Sequence, residues 1–107
     1  MKLVIVIVSS DDSSNVMKEL IKKNFFCTQV SAKGGFLKRG NAVIMIGTKA
    51  EKVDQLIQIV SDNSKTRKEM IPNSVISEFG MFTGTPIEIS IGGATIFVID
   101  AERMVKI

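Results

Sequence analysis

Leu3-Val4-Ile5-Val6-Ile7-Val8 is an unbroken run of six aliphatic residues, five of them β-branched. Such side chains are stiff at χ1 and suit a pleated strand, and a run without polar alternation suits a strand covered on both faces. It is too short to span a membrane. Ser9-Ser10-Asp11-Asp12 also follows where a signal peptide would place a small-residue cleavage site. Ala42 to Ile46 has the same two-faced character. A chain with two such strands must set them inside a sheet and cover both sides of it.

The intervening segments say what that cover can be. Ser9 to Ser14 is polar and can supply a helix N-cap, with Asp11 and Asp12 favourable near the helix start. Val16, Leu20, Ile21 and Asn24 then fall at helical spacing, which predicts an amphipathic helix ending near Asn24. Cys27 to Ala32 alternates moderately and reads as a second strand, and Ala42 to Ile46 as a third. Val53, Leu56, Ile57 and Val60 give the i, i+3, i+4, i+7 pattern of a second helix. From Asp62 to Thr85 periodicity stops; the segment holds Pro72 and the cations Lys65, Arg67 and Lys68, and Pro86 follows it. Loops this long are uncommon unless functional or disordered. Six large apolar residues from Ile71 to Phe82 argue for a flap that orders against a ligand or a neighbouring subunit, and a short strand fits within it. Ile87 to Ile91 and Ala94 to Ile99 flank Gly92-Gly93, a two-residue turn signal that predicts a hairpin. The tail from Asp100 to Ile107 has room for one helical turn and an extended piece.

This order is β-α-β, β-α-β with a hairpin near the end: an α+β, ferredoxin-like sandwich in one domain spanning 1–107. Two helices cover only one face of a four-stranded sheet. The other face needs a partner, and self-association is the simplest one.

At 107 residues, 45% apolar and 23% charged, the chain can bury one core without staples. The net charge of +3 with dispersed cations admits an anionic ligand but lacks the basic stripe of a nucleic-acid binder. There is one cysteine, Cys27, and no histidine. That excludes an internal disulfide, a Ser-His-Asp triad and a Cys/His metal site. Cys27 has no histidine base to activate it and reads as a small core residue. Asp11 and Asp12 point in different directions at a helix start, which favours capping over a carboxylate pair. Catalytic and metal residues, and a resident cofactor, are therefore not expected, and the chain reads as a cytoplasmic binding protein.

The chemistry concentrates in Lys33-Gly34-Gly35-Phe36-Leu37-Lys38-Arg39-Gly40-Asn41. Gly35 and Gly40 have the glycine spacing of a phosphate-binding P-loop, but Asn41-Ala42 stands where Lys-Ser/Thr is required. Hydrolysis by that route is not expected. Two readings of the loop stay open. Gly34 and Gly35 can offer backbone N–H groups to a phosphate, Phe36 a stacking face and Asn41 an amide for adenine. Alternatively, the loop is a tight turn with Phe36 and Leu37 tucked into the core or a subunit contact.

Gly34-Gly35-Phe36-Leu37, Gly40-Asn41 and Ile91-Gly92-Gly93-Ala94-Thr95-Ile96-Phe97-Val98, in this order, resemble the PII-like cyclic-di-AMP receptors of Gram-positive bacteria. The resemblance covers nearly the whole chain. It implies a PII-like homotrimer that binds one cyclic-di-AMP at each subunit interface, without catalysis, and signals to a downstream protein. It implies the short loop at 33–41 and the long flap at 62–85. By position it places Asn24 and Thr28 at the base of the pocket and wraps Gly35, Phe36 and Leu37 around one adenine. Asn41 hydrogen-bonds, Gly47 allows close approach, and Gly92 and Gly93 line the neighbouring subunit's side. The chain departs from the family at Phe26, where members commonly carry a basic residue that contacts phosphate. The alternative it raises is an interaction module that has lost or changed its nucleotide.

Overall fold

The computed structural model describes residues 1–30, 40–71 and 87–107, without the side chains of 69–71 and 87–89. In chain order the elements are β1 (Lys2–Ser9), α1 (Ser10–Lys22), β2 (Phe26–Val30), β3 (Asn41–Thr48), α2 (Val53–Asp62), β4 (Arg67–Ile71), β5 (Ile87–Ile91) and β6 (Ala94–Asp100). A single turn of 3₁₀ helix over Ala50–Lys52 leads into α2. The main sheet has the order β2-β3-β1-β6 with all neighbours antiparallel, and both helices lie on one side of it. This is the expected ferredoxin-like α+β arrangement.

Period-two alternation sorts each strand. Val4, Val6 and Val8 of β1 face the helices beside Ile46, Ile44 and Ala42 of β3, and all six are buried. Val16 and Leu20 of α1 and Leu56 and Val60 of α2 close over them. Two helix positions differ from the sequence reading. Ile21 and Ile57 are exposed, while Met17 and Ile59 pack against the core instead. A stripe centred on residues four apart accepts a neighbour from either flank, and the sheet takes the one nearer its own axis. Ile44 is fully buried at the centre of this layer. Ile44→Ala is expected to lower the unfolding free energy by about 3–4 kcal/mol, the range for deleting a large aliphatic from a core. The denaturation midpoint checks this at unchanged m-value.

α1 begins at Ser10, so the polar Ser9–Ser14 stretch forms its first turns rather than a linker. The Ser9 hydroxyl accepts from the Asp11 N–H at 3.2 Å, and Ser13 donates to the Ser10 carbonyl at 3.0 Å. At the other end Phe25 N–H bonds the Leu20 carbonyl and Asn24 N–H bonds the Ile21 carbonyl, each at 3.0 Å. That bond pair is a Schellman stop, with Asn24 in its left-handed position at φ 65°.

The expected hairpin across Gly92-Gly93 does not form. β5 pairs with β4 as a separate two-stranded arm, and β6 pairs with β1 in the main sheet. Both glycines do have positive φ, at 87° and 82°. The Gly93 N–H, however, bonds the Ser64 carbonyl, so the turn joins two sheets instead of folding one strand on its neighbour. β4 supplies the short strand that fits within the flap; 72–86 lies outside the described residues. The tail contains no helical turn.

Among the described residues the second face of the sheet is left largely open, with the tail after β6 reaching it at the β2 end. Its rows run Phe26–Gly47–Leu3–Ile99, Thr28–Met45–Ile5–Phe97 and Val30–Val43–Ile7–Thr95. None of these residues is fully buried, and Phe97 is 51% exposed.

Candidate functional site

The predicted ligand residues divide between the two ends of the sheet. Asn24, Phe26 and Gly47 lie together around a depression of about 180 Å³ that is also lined by Lys49, Lys52 and Met104. β2 and β3 bring the last two side by side, because Phe26 pairs with Gly47. Phe26 stands on the open face and is 73% exposed. Thr28 is exposed on the same face, one row along. At the far end Asn41, Gly92 and Gly93 line a second depression of about 230 Å³, with Ser9 and Thr95. Asn41 opens β3 opposite Ser9, and the turn into β6 lays the glycines beside it. Asn41 and Gly47 are six residues apart on one strand, so the two ends are about 20 Å apart. Gly35, Phe36 and Leu37 lie outside the described residues.

The second end is braced by a contact the sequence does not announce. Arg67 donates through both Nη atoms to the Asp12 carboxylate, at 2.9 and 3.2 Å. The Asp12 side chain is only 9% exposed, against 42% for Arg67. Arg67 Nη1 also lies 2.8 Å from where a Cβ on Gly92 would sit, so a side chain there would push into the guanidinium. Asp12, one of the two expected capping carboxylates, therefore ties α1 to the base of the arm. Lys65 and Thr66 border the same turn.

Burial pushes the Cys27 thiol up, and its Sγ contacts the Phe25 carbonyl at 3.7 Å, which leaves it a neutral thiol near pH 7. Among the described residues no three His, Cys, Asp or Glu side chains gather as metal ligands would. None of the described helices is long and apolar enough to cross a membrane.

Asn24 has two separable roles, because its backbone ends α1 while its side chain borders the first depression. Asn24→Gly keeps the left-handed stop and removes the amide, so stability is expected to change by only a few tenths of a kcal/mol. Asn24→Ala is expected to cost about 1 kcal/mol through its positive φ. A ligand titration that falls for both variants while thermal unfolding falls only for Ala assigns the amide to the site.

The sequence model of the cyclic-di-AMP receptor family matches residues 1–107, the whole chain. The chain belongs to that family. The cyclic-di-AMP receptor fold recurs in a solved relative. The crystal structure of a functionally unknown protein from Pediococcus pentosaceus ATCC 25745 is 32% identical and superposes with a TM-score of 0.76. That similarity covers 99% of this chain and 96% of the other. The PII-like receptor resemblance carried by the glycine-rich segments is thus borne out at the level of family and fold.

Proposed function

We propose that the protein is a non-enzymatic cytoplasmic sensor that binds cyclic-di-AMP where subunits meet in a homotrimer. The observation that carries this reading is the family match over the whole chain. The open sheet face supports assembly, since Met45 and Phe97 in its middle row stay exposed among the described residues. The division of the candidate residues supports an interface site. Phe26 and Gly47 at one end, and Gly92 and Gly93 at the other, meet around one ligand only when a second copy supplies one of the two ends. Asn24, Phe26, Thr28 and Gly47 supply the side from one end, Asn41, Gly92 and Gly93 the side from the other, and Gly35, Phe36 and Leu37 wrap one adenine. Ligand binding then reorders the 33–41 loop and the flap for a downstream protein partner.

Isothermal calorimetry with cyclic-di-AMP, cyclic-di-GMP, ATP and AMP tests the ligand. The expected result is saturable binding of cyclic-di-AMP at one per protomer. No heat with it at about 100 μM, together with binding of another nucleotide, overturns the assignment. Phe26 favours a second reading, an interaction module whose loops serve a protein and no nucleotide. Phe36→Ala separates the two: under the second reading it leaves every nucleotide titration unchanged and abolishes capture of the protein partner.

A further inference from the structure

Beyond β6 the chain turns back over the open face at the β2 end. The Ala101 N–H donates to the Met1 carbonyl at 3.1 Å, which fixes the direction of the tail. Met104 then settles on Gly47, its Sδ 3.1 Å from where a Cβ would stand. Lys106 reaches Phe26 and holds its ammonium 4.2 Å from the ring centroid. Between tail and sheet a cavity of about 260 Å³ remains, lined by Phe26, Gly47, Met104, Val105 and Lys106. Its floor is an aromatic ring beside a residue without a side chain, its walls are apolar, and the one charged group among its described lining residues is a cation. Lys49 and Lys52 line the adjoining depression and extend the positive character.

A slot of this composition suits a flat apolar group that carries an anion. The ring offers a stacking face, and Gly47 lets the group approach the sheet closely. The ammonium rests on the ring through a cation–π contact, a weak interaction at so exposed a site. A phosphate oxygen is the stronger partner for an ammonium, because both members of that hydrogen bond are charged. Lysine also has the reach to exchange one for the other, with a flexible four-carbon stem and three rotatable donors.

We propose that Lys106 is a ligand-contacting residue, carried by the tail onto Phe26, which leaves the ring for a phosphate when a nucleotide base enters the slot. The inference rests on the nucleotide-binding reading above and adds to it the residue that discriminates for phosphate. It also gives the tail a function, as the movable wall of the site.

The test is calorimetry on the full chain and its Lys106→Ala, Lys106→Glu and Lys106→Arg variants with cyclic-di-AMP, ATP and AMP, at 50 and 500 mM NaCl. Lys106 is exposed and outside the core, so all variants should melt as the wild type does. Lys106→Ala is expected to weaken the tightest-bound nucleotide about 10-fold at low salt, and Lys106→Glu further. Lys106→Arg should stay within about 3-fold, since it keeps the charge. The wild type should lose affinity with salt more steeply than Lys106→Ala, because one screened charge contact is missing from the variant. A merely structural tail residue would not change the salt slope. Wild-type binding with Lys106→Ala unchanged within 2-fold, or with the same salt slope, overturns the role of Lys106 and leaves the nucleotide reading standing. A wild type that binds none of the three overturns both.

Discussion

Arg67→Ala is expected to destabilise the protein by about 2–3 kcal/mol, and Asp12→Ala by only about 1 kcal/mol, although each breaks the same ion pair. The asymmetry follows from exposure. Removing Arg67 strands a carboxylate whose side chain is 9% exposed, whereas removing Asp12 leaves a guanidinium that is 42% exposed, readily hydrated and still bonded to the Lys65 carbonyl. The double variant should cost less than the sum, because the stranded carboxylate is then gone. Urea unfolding of the three variants forms the cycle. The same substitutions should loosen the arm, since Arg67 packs against the Gly92 position at its base. Hydrogen exchange should therefore rise in β4 and β5 with β1 and β3 still protected. Equal costs for the two single variants would show that burial of the carboxylate does not set the energetics.

Phe97→Asp is expected to convert the proposed trimer to monomers, a threefold fall in mass by light scattering. The protomer should stay folded, because Phe97 points away from the helices and makes no part of the core. A carboxylate in the middle row of the open face, beside Ile5, has no cation opposite it across β1. Burying three copies of it in a shared interface carries a desolvation cost of several kcal/mol per charge. Cyclic-di-AMP affinity should drop at least about 100-fold if the site needs two copies. Unchanged mass for Phe97→Asp would place the subunit contact on another surface.

The frame of the fold was readable because local periodicity and tertiary position agree along most of the chain. Val4, Val6 and Val8 alternate with Leu3, Ile5 and Ile7, and both sets are apolar because each meets a different environment. The helix stops were readable for the same reason: Asn24 tolerates the left-handed position that ends α1. Partner choice was not readable. Ile87 to Ile91 has an alternation that can pair with either β4 or β6, and Gly92-Gly93 has the φ signs a hairpin would need. In the fold β6 closes the free edge of β1 along seven residue pairs, and β5 takes β4 along five.

Of the candidate site, the residues came from family resemblance, and the fold groups them: strand register sets Phe26 beside Gly47, and the turn into β6 lays Gly92 and Gly93 beside Asn41 of the same chain. The Asp12–Arg67 contact and the tail over Phe26 left no trace in the sequence. Their members are separated by 55 and 80 residues, and neither pair lies in a periodic pattern that would point to the other. Lys106 was an ordinary cation until the turn after Asp100 placed it on an aromatic ring.

The pairing of β1 with β6 also governs how the protein is made. Lys2 faces Asp100, so the strand at the centre of the sheet keeps one open edge until nearly a hundred residues have followed it. During synthesis at about 5–20 residues per second, that edge stays open for several seconds after β1 leaves the ribosome. It is also one of the most aliphatic segments in the chain, the kind that pairs with other strands when exposed. β3 arrives earlier and protects one side, with Lys2 opposite Thr48. Substitutions that slow β6 pairing, even ones silent in the finished protein, should therefore appear first as lost soluble yield. Expression at lower temperature, or with a chaperone that holds nascent strands, should restore it.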